Sequence, residues 1–270
     1  MKKIFLTLFV CVVAVGFSHS SAEAATLHAF LVVDTQARNI EESVKSDLRN
    51  MERELSKISA YTDLELNKHV FTESNANSKF VNSIEKTEIG EDDVVLFYWG
   101  GHGFRTKSKD ENGNPWPSFS FENDHTGMDL LDITKYIESK QPRLVISLAD
   151  TCNNMIPDYC VPPMLKIAPK GEFVTSRDQY EQIRRNYRIL FVDSSGVIMG
   201  AGAQPGQYSW CSWSGGFFTL SFLDAVKSEI NEESTSWDYV MEKTRNNMTQ
   251  FNPPDKQSPQ IEVNLTSLVN

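Results

Sequence analysis

Hydrophobic residues along this chain fall into short solid runs and longer spaced series. Leu27 to Val33 (LHAFLVV) is a solid run bounded by Asp34, the pattern of a strand buried on both faces. From Ile40 the apolar positions Ile40, Val44, Leu48, Met51, Leu55 and Ile58 recur at spacings of three and four, with Glu, Lys and Arg between them. That spacing predicts an amphipathic helix of about 20 residues. Leu64 to Phe71 alternates weakly and predicts a second strand. Asn75 or Asn77 is placed to cap a helix carrying Phe80, Val81 and Ile84. Asp93 to Trp99 is the third strand. A helical series over Asp129 to Ser139 precedes the fourth, Leu144 to Leu148. Further on come a helix over Gln179 to Leu190 and a glycine-loosened strand over Gly196 to Ala203. Helices over Phe217 to Ile230 and Trp237 to Met248 follow, then an alternating closing strand within Gln257 to Leu265.

Three stretches break the pattern. Residues 104–128 carry Asn112-Gly113, Pro115 and Pro117 and read as a long loop or small hairpin over the sheet edge. Pro157 to Ser176 is irregular and proline-rich, and Gln204 to Trp213 reads as loop. There is no internal repeat and no linker-like tract. Alternation of strands and helices predicts one α/β domain with a mostly parallel sheet covered on both faces.

The first residues change the picture of where this domain works. Lys2 and Lys3 precede an apolar run from Ile4 to Phe17, and small residues end at Ala22-Glu23-Ala24. This predicts a signal peptide over residues 1–24, leaving 25–270 as a secreted or periplasmic domain. The run is shorter than the roughly 20 residues a membrane span needs, so no membrane association is expected after cleavage. The chain has 26 Lys and Arg against 36 Asp and Glu, net −10, with no basic run. Such a chain repels phosphate backbones, so nucleic acid is excluded as a partner class. Past the signal peptide three cysteines remain, Cys152, Cys160 and Cys211. An odd count in an exported protein predicts one disulfide and one free thiol. If Cys152 is free, Cys160–Cys211 is the pairing left; a local Cys152–Cys160 bridge is the rival.

Two of the solid runs stop at chemically capable residues. Val94 to Gly103 (VVLFYWGGHG) ends on His102 between glycines, and Leu144 to Asn153 (LVISLADTCN) ends on Asp150 and Cys152. Parallel strands bring the residues just past their C-terminal ends to one sheet edge, where open α/β folds place their ligands. A thiol and an imidazole meeting there make a nucleophile and its base. Gly103, without a side chain, leaves its N–H free to face a carbonyl oxygen. His28 and His69 fall within predicted strands as packing or surface residues, and His125 lies in the long loop. No HExxH, paired CxxC or EF-hand loop is present, so no metal or cofactor is expected.

Phe97-Tyr98-Trp99-Gly100-Gly101-His102-Gly103 and Asp150-Thr151-Cys152 together resemble the histidine and cysteine motifs of the caspase and metacaspase clan. Gly202-Ala203-Gln204-Pro205-Gly206-Gln207 and Gln257-Ser258-Pro259-Gln260 extend the likeness over roughly residues 27–262. The resemblance implies a caspase-like three-layer α/β/α fold and a cysteine endopeptidase acting on protein or peptide substrates. It implies Cys152 as nucleophile, His102 as base, and the N–H groups of Gly103 and Cys152 as the oxyanion hole. It also implies Asp150 and Asp47 as substrate-binding residues selecting Arg or Lys. Gly100, Val44, Trp210 and Cys211 depart from the metacaspase pattern. The competing expectation is a catalytically silent caspase-like module that binds partners through Trp116, Phe119, Phe121, Trp210 and Trp213. The sequence carries no indication of oligomeric state.

Overall fold

The computed structural model describes residues 24–121, 124–155 and 177–266. The predicted signal peptide, save Ala24, lies outside them, as does Pro157 to Ser176. From the N-terminus the elements are β1 (Thr26–Val33), α1 (Glu41–Thr62), β2 (Glu65–Thr72), α2 (Val81–Lys86) and β3 (Val94–Gly100). Next come β4 (Gly103–Phe104), α3 (Lys107–Glu111), β5 (Ser118–Phe121), β6 (Asp124–Asp129), α4 (Leu130–Glu138) and β7 (Leu144–Asp150). The chain continues with α5 (Arg177–Phe191), β8 (Gly196–Ala201), β9 (Cys211–Ser212), β10 (Gly215–Gly216), α6 (Phe217–Glu229), α7 (Trp237–Met248) and β11 (Gln260–Leu265).

Six strands form the central sheet in the order β11-β8-β7-β3-β1-β2. All neighbours are parallel except β11, which closes the edge antiparallel to β8. Side chains of a strand alternate between faces, and β1 shows how one solid run serves two cores. Leu27, Ala29, Leu31 and Val33 join one buried cluster with Val44, Met51, Leu55 and Ile58 of α1 and apolar residues of α5, α6 and α7. Phe30 and Val32 join a second, with Phe80, Ile84 and the Leu130, Ile133 and Ile137 stripe of α4. Helices therefore cover both faces, giving three α/β/α layers.

Helix ends follow the chemistry of capping. Asp129 Oδ1 accepts from Leu131 N–H at 2.8 Å at the start of α4, and Ser236 Oγ accepts from Tyr239 N–H at 3.2 Å at the start of α7. Asn77, rather than Asn75, is the cap before α2, accepting from Lys79 N–H across a short 3₁₀ turn. The α1 helix ends at Asp63, whose left-handed φ of 62° brings its N–H to Ser59 O.

Residues 104–128 are more ordered than a loop. They fold into α3 and, with Gly103, a three-stranded antiparallel sheet β4-β5-β6. Phe119 stacks on Trp99 at 5.0 Å between ring centroids, and Phe121 meets the same indole edge-on at 5.1 Å. Trp116, Phe119, Phe121 and Trp210 are buried; of the five aromatics expected to form a binding surface, only Trp213 is exposed. The polar residues around them concealed an apolar alternation that seals the second core.

Candidate active site

The register between β3 and β7 pairs Gly100 with Asp150. His102 and Cys152 each lie two residues beyond that pair, so neighbouring strands about 4.8 Å apart send both toward one edge. The two strand ends are tied together: Thr151 Oγ donates to Gly101 O at 2.8 Å. Gly103 must be glycine here, because a Cβ would stand 2.2 Å from Thr151 Oγ and 2.7 Å from Cys152 O.

His102 and Cys152 line one cleft with Asp47, Asp150, Ser209 and Gly216. His102 Nε2 lies 3.0 Å from Arg38 O. A carbonyl only accepts, so Nε2 carries the hydrogen and the neutral ring keeps its lone pair on Nδ1. The His102 and Cys152 side chains are not hydrogen-bonded to each other. Cys152 Sγ instead receives Ser209 N–H at 3.4 Å. Burial pushes the Cys152 thiol up to about 11; the Ser209 N–H opposes that shift, and the Asp150 charge adds to it. The residue after Cys152 anchors this strand end. Asn153 is fully buried, and its Nδ2 donates to Pro115 O at 2.8 Å and Ala203 O at 3.2 Å.

Asp150 and Asp47 come from different elements, the end of β7 and the middle of α1, and meet at the floor of the cleft. Asp150 accepts from Ser209 Oγ at 2.7 Å and from the N–H and hydroxyl of Thr219, both at 2.8 Å. Asp47 accepts from Gly216 N–H with both oxygens at 3.0 Å. Burial raises both carboxyls above the usual carboxylate range, and for Asp47 the Asp150 charge raises it further. Arg49 acts weakly on Asp47 from a distance. Among the described residues no Lys, Arg or His forms an ion pair with either carboxylate.

Several residues of this site escaped sequence reading. Ser209 touches both Cys152 and Asp150, and Gln257 supports it, donating to Gly202 O at 2.8 Å and Ser209 Oγ at 3.1 Å while accepting from Trp210 N–H at 3.1 Å. Gly202, Gly215 and Gly216 pack against the carboxylates: a Cβ would fall 2.9, 2.2 and 2.1 Å from their oxygens. The Gly202 to Gln207 stretch and the Gln-Ser-Pro-Gln tail are visible as motifs, but nothing in them names a carboxylate as their neighbour. The Cys160–Cys211 pairing falls outside the described residues, because Cys160 is not among them; Cys211 itself lies buried in the same cleft. Burial, with Asp150 and Asp47 adding to it, pushes the Cys211 thiol up to about 12. His28 and His69 are structural: His28 lies 3.1 Å from an oxygen of Asp93, and His69 stacks on Phe30. The His125 side chain lies outside the described residues.

A family model described as the caspase domain, peptidase C14, matches residues 34–269. The chain belongs to the caspase-domain family. Membership makes cysteine peptidase the general class of its chemistry. The fold is also similar to the crystal structure of protein GSU0716 from Geobacter sulfurreducens, with a TM-score of 0.51 and 15% identity. That likeness covers 89% of this chain and 93% of the other. No curated protein matches the sequence. Within the caspase-domain fold, β3 is the histidine strand and β7 the cysteine strand, and both end on the cleft just described.

Proposed function

We propose that this caspase-domain protein is an exported cysteine endopeptidase that cleaves after arginine or lysine, using Cys152 as nucleophile and His102 as general base. The observation that carries the reading is the cleft itself: a thiol, an imidazole and two buried carboxylates that pair with no cation among the described residues, gathered at one sheet edge. Keeping two like charges out of water costs several kcal/mol per ion unless a counter-ion joins them. A P1 guanidinium or ammonium is that counter-ion, and a carboxylate pair holds its N–H groups with direction.

In the proposed reaction His102 Nδ1 takes the Cys152 proton as Sγ attacks the scissile carbonyl carbon. The carbonyl oxygen becomes an oxyanion received by the N–H groups of Gly103 and Cys152. The C–N bond breaks as His102 returns the proton to the leaving amine, leaving a thioester on Cys152. Water, deprotonated by His102, then hydrolyses that thioester and restores the thiol. Removal of residues 1–24 and export beyond the inner membrane belong to the same proposal.

A panel of fluorogenic peptides differing at P1, run on wild type, Cys152→Ala and Asp150→Ala, tests it. Turnover is expected with Arg or Lys at P1, a loss on the order of 10³-fold or more in Cys152→Ala, and lost P1 discrimination in Asp150→Ala. No turnover with any P1, together with no labelling of Cys152 by an acylating peptide, would sink the reading. The silent interaction module has weaker support, since four of its five proposed contact aromatics are core.

A further inference from the structure

A second concavity lies on the other side of the β9–β10 hairpin from the cleft. It holds about 780 Å³ and is lined by α1, the hairpin tip, α6 and the end of α7. Three α1 residues fasten the hairpin between the two: Ser46 Oγ donates to Trp213 O at 2.8 Å, Asn50 Nδ2 to Ser214 O at 3.2 Å, and Asp47 accepts from Gly216 N–H. The groove is thus continuous with the wall of the substrate pocket through a single helix turn.

Its charge is opposite to that of the molecule. Arg49, Arg53 and Lys57 stand four residues apart on α1, so they form one row about 12 Å long. Lys227 of α6 lines the groove as well. Among the described residues the exposed guanidiniums of Arg49 and Arg53 form no ion pair and donate to neutral oxygens, Ser46 Oγ at 2.9 Å and Asn50 Oδ1 at 3.4 Å. Two acidic side chains also line it: Glu54 accepts from Tyr187 Oη at 2.6 Å and pairs with Lys57 Nζ at 3.6 Å, and Asp224 accepts from Asn247 Nδ2 at 3.3 Å, so the four basic residues still outnumber them. Apolar surface interleaves with these charges: Trp213, 53% exposed, with Leu223 and Phe251. In a chain of net −10, a basic row beside an exposed indole is a local reversal of the field.

We propose that this groove is an exosite for an acidic, aliphatic-containing peptide segment of the substrate, flanking the bond held in the cleft. Carboxylates of such a segment pair with Arg49 and Arg53, and its apolar side chains cover Trp213 and Leu223. The purpose assigned to the groove rests on the peptidase reading; the binding itself does not.

The test uses full-length Cys152→Ala protein and a short fluorescein-labelled peptide alternating glutamate and leucine, with its glutamine counterpart as control. Anisotropy is expected to show binding of the glutamate peptide alone, weakened by salt, with Trp213 emission changing on binding. Arg53→Glu, an exposed change whose melting temperature should match the parent, is expected to weaken binding roughly tenfold. In the active background Arg53→Glu should raise KM for substrates with an acidic flank and leave short P1 reporters unaffected. Equal binding of the two peptides, unchanged binding in Arg53→Glu, or tighter binding of a single-stranded oligonucleotide would overturn the exosite. Peptide binding by a protein that turns over no P1 reporter supports the exosite and counts against the peptidase reading alone.

Discussion

At the scale of single residues, the cleft is organised by groups held away from their solution protonation. The Cys152 thiol is pushed up to about 11, so in the proposed reaction its thiolate forms as His102 accepts the proton during attack. Alkylation of the substrate-free enzyme by iodoacetamide should therefore climb by about tenfold per pH unit across neutral and alkaline pH. A rate already level at pH 7 would mean a resting thiolate. Asp47 makes the converse prediction. Its folded-state carboxyl holds a proton above the ordinary value of about 4, so its contribution to stability is full below that pH. That contribution is lost as pH rises through the raised folded value. Asp47→Asn, which keeps an oxygen for Gly216 N–H, should then melt roughly 2–4 °C above wild type at pH 7.5 for each kcal/mol relieved. The gap should close near pH 4, and preference for a basic P1 should fall. A lower melting temperature at pH 7.5 would show that the Asp47 charge stabilises the substrate-free protein.

At the scale of elements, the site depends on where strands stop and helices begin. Gly216 is the N-cap of α6, and the Thr219 N–H in its first turn points at Asp150. A carboxylate there satisfies an otherwise unpaired helix donor and lies at the positive end of the helix dipole. The same arrangement leaves no room for a Cβ at Gly216, 2.1 Å from Asp150 Oδ2. Gly216→Ala should cut kcat/KM on Arg and Lys reporters by about tenfold or more and lower the melting temperature. Gly90→Ala, where the nearest atom would be an Asp93 carboxylate oxygen at 3.4 Å, serves as the control expected to change neither.

At the scale of the molecule, the two cores are unequal in how they reach the site. The core under α1, α5, α6 and α7 carries the pocket floor; the other carries the small β4-β5-β6 sheet, whose Ser120 N–H donates to His102 O at 2.9 Å. Packing of Phe119 against Trp99 and Phe97 thus steadies the histidine loop from behind. Phe119→Ala should cost about 3–5 kcal/mol in a denaturant titration. It should also depress activity at temperatures where the variant remains folded. Full activity at such a temperature would separate the small sheet from the positioning of His102.

The parallel sheet, its helices and the two strand ends were legible because they are local. A solid apolar run, a three-four spacing and a stop at Gly-His-Gly or Asp-Thr-Cys involve residues near one another in sequence. The caspase-domain fold follows from their order. Residues 104–128 were legible only as a long loop or small hairpin, because proline, glycine and charge dominate composition there; the hairpin is present, and Trp116, Phe119 and Phe121 matter only once a neighbouring sheet covers them. The tertiary structure alone set Ser209, Thr219 and Gln257 around Asp150 and placed Cys211 in the same cleft. Those contacts join residues scores of positions apart. Their energies depend on distance and burial, which the order of residues along a chain does not specify until the chain has folded.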